Sequence, residues 1–377
     1  MDKYLKDVAK VIIGIPAPKE FINKNETNAI PFIRVSSLED LCNDMETINE
    51  FLDKTKFKVF PKGTVVFAKS GMSVLKNRVY SLRTDSVLVS HLAGVVCDEN
   101  EIYYKYLEYF LKKNPPSQLI QNKAYPSIRS EDIERIHFVL PKLEIQKKIV
   151  EKLEIIQDAI KQRKKQIEEL QNIIKSQFVE MFTNFRNKEK IESLSNYFSR
   201  GKSPNYVNNS KIGVINQACI YWNCFKMENI KYQDESRINN AFAKMIRKND
   251  VLITSTGTGT LGRCNVYGGG DNKYIADGHV SILRLKEEIV NPVYFKYYFM
   301  QDKVQKQLYS ECVNGSTNQI ELSKDKFLHF DVSVPPIELQ NKFADFVQQV
   351  DKQKFEIENS LKEIQELYES LMEQYFS

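Results

Sequence analysis

Two stretches of the chain carry apolar residues at alternating spacings of four and three. The first runs Ile149, Leu153, Ile156, Ile160, Arg163, Ile167, Leu170, Ile174, Gln177, Met181. The second runs Phe343, Val347, Val350, Lys354, Ile357, Leu361, Ile364, Tyr368, Leu371, Tyr375. A heptad seam held for about five repeats predicts two long helices that form a coiled coil. About forty residues at roughly 1.5 Å rise make a rod of about 60 Å. Both helices open in the same words, Pro141-Lys142-Leu143-Glu144-Ile145-Gln146 and Pro335-Pro336-Ile337-Glu338-Leu339-Gln340, 194 positions apart (335 − 141), and the match continues without a gap to Phe182 and Phe376. Proline and an early glutamate suit a helix start. The polar breaks, Arg163 and Lys354, both fall near mid-helix and leave parallel and antiparallel pairing open.

The segments ahead of each helix alternate in a different way. In residues 1–140, Ile30–Val35, Thr64–Ala68, Val87–Val89 and Gly94–Val96 read as strands, and a tyrosine-rich helix runs from about Ile102 to Lys112. Residues 186–334 repeat the plan. Gly201–Pro204 answers Gly14–Pro18, Ile212–Asn216 answers the Ile33 strand, and Lys248–Ile253 answers Lys62–Phe67. Val293–Tyr297 answers Ile102–Tyr106. The four histidines pair as His91 with His279 and His137 with His329. The chain therefore reads as an internal duplication, block plus helix, with boundaries at 1–140, 141–185, 186–334 and 335–377.

Composition narrows the setting. Charged residues are 27% of the chain and mean hydropathy is −0.43. No apolar run approaches the roughly 18 residues of a membrane span, and Met1-Asp2-Lys3-Tyr4 has no apolar signal core. The six cysteines are scattered, which fits a reduced cytoplasm. Net charge is +5, with 19 tyrosines and 54 Lys+Arg. Aromatics interleaved with basic residues suit a surface that grips a polyanion.

Several motifs point elsewhere and do not hold. Gly257-Thr258-Gly259-Thr260-Leu261-Gly262 matches a dinucleotide fingerprint, but Arg263–Tyr267 reads as a strand where a cofactor site needs a helix. No phosphate loop of the full Gly-x-x-x-x-Gly-Lys-Ser/Thr type exists. Asn114-Pro115-Pro116-Ser117 lacks the aromatic that an amino-methyltransferase stacks on its flipped base. Asn291-Pro292 is ordinary capping chemistry. The histidines have no partners at metal-ligand spacing, so no metal is expected. Cys219 and Cys224 read as buried thiols.

Two variable blocks, each ending in Pro-x-x-Glu-x-Gln and a long helix, resemble the specificity subunit of type I restriction–modification systems. Lys248–Gly257 and Asn314-Gly315-Ser316-Thr317-Asn318-Gln319 strengthen the resemblance. Block one departs from it, with Ala124-Tyr125-Pro126-Ser127 standing where block two has Asn-Gly-Ser-Thr. The resemblance implies an α+β fold: two similar mixed α/β target-recognition domains joined by two long helices in an antiparallel coiled coil, an internal repeat with pseudo-twofold symmetry. It implies a non-catalytic, cytoplasmic subunit that reads a bipartite double-stranded DNA target, the helices spacing the two halves. Two methyltransferase subunits would dock on it and hold S-adenosylmethionine. A restriction subunit, if present, would bring ATP and Mg. The alternatives are a methyltransferase in its own right and a coiled-coil scaffold without DNA specificity.

Candidate DNA contacts follow from the loops. In block one they are Lys69, Ser70, Lys76, Arg78, Tyr125, Ser127 and Arg129. In block two they are Lys202, Tyr206, Thr254, Ser255, Thr256, Thr258, Thr260, Arg263, Ser316, Thr317, Asn318 and Gln319. Threonine hydroxyls and glycines allow close approach to a duplex. Arg263 can span guanine O6 and N7, or clamp a phosphate. The seam residues Ile149, Leu153, Ile156, Ile160, Ile167, Leu170, Phe343, Val347, Val350, Ile357, Leu361 and Ile364 are the candidates for helix pairing and partner docking.

Overall fold

The computed structural model describes residues 2–42, 48–237, 245–270, 273–315 and 320–377. The chain divides into two compact units, Met1–Lys165 with Glu358–Ser377, and Gln166–Ile357. The division cuts both long helices, so each unit contains the beginning of one and the end of the other.

In the first unit a four-stranded antiparallel sheet is built from β1 (Ala9–Ile13), β2 (Val65–Ala68), β3 (Val79–Ser81) and β4 (Leu92–Cys97), in the order β1-β4-β2-β3. β2 is buried along its length, as its run of Val65, Val66, Phe67 and Ala68 predicts. Beside it, Ala29–Ile33 pairs antiparallel with Phe51–Asp53 and parallel with Val87–Leu88. The tyrosine-rich helix α1 spans Tyr104–Lys113. The first long helix, α2, spans Leu143–Phe182.

The second unit repeats this frame. Its sheet is β5 (Ser195–Arg200), β6 (Val251–Thr254), β7 (Cys264–Val266) and β8 (Val280–Leu285), in the order β5-β8-β6-β7. Gly213–Ile215 pairs antiparallel with Lys231–Gln233 and parallel with Tyr274–Ala276. Helix α3 (Pro292–Phe299) corresponds to α1, and α4 (Ile337–Phe376) is the second long helix. Even a close backbone crossing recurs. A Cβ on Gly14 would collide with the Leu88 and Val89 carbonyl oxygens, and one on Gly201 with those of Ala276 and Asp277. Only glycine fits either position.

The seams fold as the heptads predict. Leu153 and Phe343 are wholly buried, and every other seam position, the polar breaks Arg163, Lys354 and Gln177 included, is buried or half-buried. Full burial of such an apolar side chain, as at Leu153 and Phe343, contributes about 1.5–3 kcal/mol, and the half-buried positions contribute less. In the first unit the start of α2 packs with the end of α4: Ile149 and Leu153 share a core with Met372 and Phe376, and Gln157 Nε2 donates to the Tyr368 hydroxyl at 2.8 Å. In the second unit the end of α2 meets the start of α4, with Phe178 and Phe182 5.3 and 5.5 Å from the Phe343 ring. The helices therefore run antiparallel in both units.

The glutamine of the helix-start motif has a specific task. Gln146 is fully buried; its Oε1 accepts from the Tyr103 N–H at 2.8 Å and its Nε2 donates to the Glu101 and Pro141 carbonyls at 3.0 and 2.8 Å. Gln340 repeats all three bonds, to the Asn291 N–H (2.9 Å) and to the Ile289 and Pro335 carbonyls (3.1 and 2.7 Å). One side chain thus satisfies orphaned main-chain groups at the start of the tyrosine-rich helix and of the long helix together.

These bonds also correct the repeat register. Tyr103 corresponds to Asn291, so Ile102 answers Val290, three residues before the Val293 match expected from the tyrosine pattern. The Leu5 N–H bonds the Ile136 carbonyl and the Ile191 N–H bonds that of Phe330. His329 therefore corresponds to Arg135, and His137 to Asp331, rather than to each other.

Candidate nucleic-acid interface

In both units the strand β2 or β6 continues into a loop held by the same set of main-chain bonds. In the first unit the Lys69 N–H bonds the His91 carbonyl (2.9 Å), its carbonyl accepts from Ile128 (2.8 Å), and the Gly71 N–H bonds Pro126 (2.9 Å). In the second, Ser255 bonds His279 (2.8 Å), accepts from Leu322 (2.8 Å), and Gly257 bonds Ile320 (3.4 Å). This matches Pro126-Ser127 to Ile320-Glu321, so Ala124–Ser127 stands four residues beyond the expected Asn-Gly-Ser-Thr.

The second-unit loop is a glycine–threonine knot. Gly257, Gly259 and Gly262 have φ of 92°, 79° and 85°, a left-handed backbone that excludes most side chains. The Thr254 N–H bonds the Arg263 carbonyl at 2.8 Å and the Gly262 N–H bonds the Thr254 carbonyl at 2.9 Å, closing the loop at its base. Thr254 and Ser255 are buried. The Thr254 hydroxyl donates to the Thr260 carbonyl, and the Ser255 hydroxyl lies 2.6 Å from that of Ser281. Both candidates hold the loop and have no surface to offer a duplex. Thr260 likewise spends its hydroxyl on the Thr256 carbonyl at 2.9 Å. Thr256 is half-buried and Thr258, at the tip, is exposed.

Arg263 is half-buried. Its guanidinium lies over Tyr221 at 5.2 Å and reaches the Gly259 carbonyl at 3.5 Å, while its buried Nε has no partner among the described residues. The ring and the Gly259 carbonyl hold the guanidinium in place before any ligand arrives. Tyr221 had not stood out in the sequence; the Tyr221-Trp222 pair was the available signal. A groove of about 500 Å³ runs beside the loop, lined by Gly259, Arg263, Trp222, Gln305 and Tyr309 among others. Lys202 is exposed, and Tyr206 is exposed with the Lys231 ammonium 4.8 Å over its ring. Ser316, Thr317, Asn318 and Gln319 lie outside the described residues. Their downstream flank reaches the loop, where Thr256 bridges Glu321.

The first-unit loop has another chemistry. It is a short 3-10 turn, Met72–Lys76, with Met72 65% and Leu75 40% exposed. Tyr125, on the adjoining segment, is 83% exposed. Ser70 bridges Ser127. Lys69 and Arg78 are half-buried, and Lys76, Ser127 and Arg129 are exposed. Arg129 bonds both Asp132 carboxylate oxygens, at 2.9 and 3.1 Å, which holds that carboxylate below its usual range.

The misleading motifs resolve structurally. The Gly257–Gly262 run is followed by strand β7, and Asn291 caps α3 by accepting from Val293 and Tyr294. Asn114 ends α1 and donates to the Phe376 carbonyl at 2.8 Å. Cys219 is buried as expected, whereas Cys224 is exposed because it lies in the turn between Ile220 and Phe225. Among the described residues no group of three His, Cys, Asp or Glu side chains is set to hold a metal, and no helix is long and apolar enough to cross a membrane.

One frame is built twice and presents two dissimilar loops of hydroxyl, aromatic and cationic groups. The chain belongs to the type I restriction modification DNA specificity domain family, whose model matches residues 1–172 and 180–367. It is 29% identical over 178 residues to the MjaIX specificity subunit of a type I restriction enzyme from Methanocaldococcus jannaschii, covering 45% of this chain and 40% of that one. The match thus spans about two fifths of that relative's length. Among solved structures, the S subunit of a type I system from M. genitalium superposes with a TM-score of 0.61 at 14% identity, over 100% of this chain and 96% of that one. A chain from a study of assembly and conformational transition of the type I system gives 0.61 at 15% identity, over 100% and 97%. At such identities the likeness concerns the fold.

Proposed function

We propose that this chain is the sequence-specificity subunit of a type I restriction–modification complex, binding double-stranded DNA at a bipartite target and carrying no catalysis of its own. The observation that carries this reading is the repeat itself: two sheets with the same strand order hold loops of unlike composition on the same hydrogen-bonded base. A frame that stays the same while its loops differ suits a protein that reads two unlike half-sites with one docking geometry. Direct readout requires side chains at base edges, and loops on a rigid scaffold can vary them without refolding.

In this reading the first unit reads one half-site through the region of Lys76, Tyr125, Ser127 and Arg129. The second reads the other through Thr258, Arg263 and the 316–319 run. The long helices set the spacer and dock two methyltransferase subunits, which hold S-adenosylmethionine. A restriction subunit, where one assembles, supplies ATP- and Mg-dependent cleavage.

Exchange of residues 186–330 for the equivalent block of a relative tests the reading. Adenine methylation mapped across the genome should show one half-site changed and the other kept. A motif unchanged, or changed in both halves, would reject it.

A further inference from the structure

One duplicated feature is unused by this reading. The Ser70 hydroxyl lies 2.7 Å from His91 Nδ1, and the Thr256 hydroxyl lies 2.7 Å from His279 Nδ1. Each histidine sits in the tight turn that enters the fourth strand of its sheet, and each ring is exposed. Beyond this pair the two loops diverge at once, Gly71-Met72-Ser73-Val74 against Gly257-Thr258-Gly259-Thr260. A hydrogen bond between exposed groups adds little to a fold, so stability does not account for its appearing twice.

The contact orients the ring and admits either direction of donation. In the tautomer with the hydroxyl donating to Nδ1, the imidazole proton sits on Nε2, which no group among the described residues bonds. A nucleophile–base role lacks its third member. Asp277 accepts the His279 main-chain N–H at 2.8 Å, not the ring, and Val89 stands at the matching place in the first unit. Two surfaces that read different bases have only one part of the DNA in common, the sugar–phosphate backbone.

We propose that His91 and His279 each donate Nε2–H to one backbone phosphate of their own half-site. They are positioning residues that seat each loop and read no base. The proposal rests on the reading that each unit binds one half-site.

The test uses the full chain, the bipartite duplex defined by methylation mapping, and H91A, H279A, H91Q and H279Q. Each alanine variant should weaken binding about three- to tenfold, equally for the target and for duplexes with single base changes in either half. The glutamine variants, which keep an N–H donor, should recover part of the loss. Neutral methylphosphonates, placed one at a time along the backbone, should reveal one phosphate per half-site whose replacement weakens the wild-type chain but not the matching alanine variant. Undiminished binding by H91A and H279A, a loss confined to one base pair, or no such phosphate would overturn the phosphate role. A wild-type chain with no preference for the bipartite duplex would instead overturn the parent reading.

Discussion

The loop after β2 and the loop after β6 leave equivalent strands, rest on equivalent main-chain bonds and carry the same hydroxyl–histidine pair at their root. Past Gly71 and Gly257, which follow that pair and share a left-handed backbone, the two loops diverge. The first exposes Met72, Leu75 and Tyr125, apolar and aromatic groups with few bonds of their own. The second folds its Thr254 and Thr260 hydroxyls inward, leaves Thr258 at its tip, and holds Arg263 over the Tyr221 ring. The main-chain bonds under the two loops agree, and the side chains exposed beyond them, Met72, Leu75 and Tyr125 against Thr258, differ. The shared bonds mark the frame, and the unlike exposed groups mark where the two surfaces part.

That contrast can be broken most forcefully at the frame. Gln146→Leu or Gln340→Leu removes the partner of three main-chain groups, most of them partly buried, at a cost of up to about 1–3 kcal/mol for each group left unpaired. Urea unfolding should show a loss of at least about 2 kcal/mol for either variant, with both half-sites impaired. A loss below about 0.5 kcal/mol would mean that the repeated glutamine is not a structural element.

Arg263→Ala should act on one half-site only. As a base reader it costs about 1–3 kcal/mol at a single position and relaxes the preference there. Binding titrations against single-substituted duplexes at two salt concentrations check this. Uniform weakening, with the salt slope reduced by about one, assigns the guanidinium to a phosphate instead. Smaller still is Tyr125→Ser. The side chain is 83% exposed, so stability should change by less than about 0.5 kcal/mol, while affinity for the first half-site alone falls by about 1 kcal/mol. An effect on the second half-site would contradict the independence of the two loops.

Much of this frame is legible in the residues. The 4-3 spacing gives both helices and their seam, and the shared opening words give the duplication. Register inside the blocks is harder to see. Tyrosine and histidine patterns suggest matching Val293 with Ile102 and His329 with His137, but main-chain bonds decide the true equivalence, and those bonds ignore side-chain identity. Asn291 stands where Tyr103 stands because each supplies the same N–H to a glutamine, and no residue-by-residue likeness reports that. Thr254 and Ser255 show a similar limit. Small hydroxyl residues in a loop can face a ligand or tie the loop together, and only their burial separates the two roles.

The glutamine joint also bears on how such a chain can change over generations. Gln146 hydrogen-bonds the preceding block through the Glu101 carbonyl and the Tyr103 N–H, and Gln340 through the Ile289 carbonyl and the Asn291 N–H. A coupling that addresses peptide groups accepts any side chains around it. Recombination at this seam could graft a foreign block onto an old helix and find the joint already satisfied, so a new specificity need not wait for a compensating mutation there.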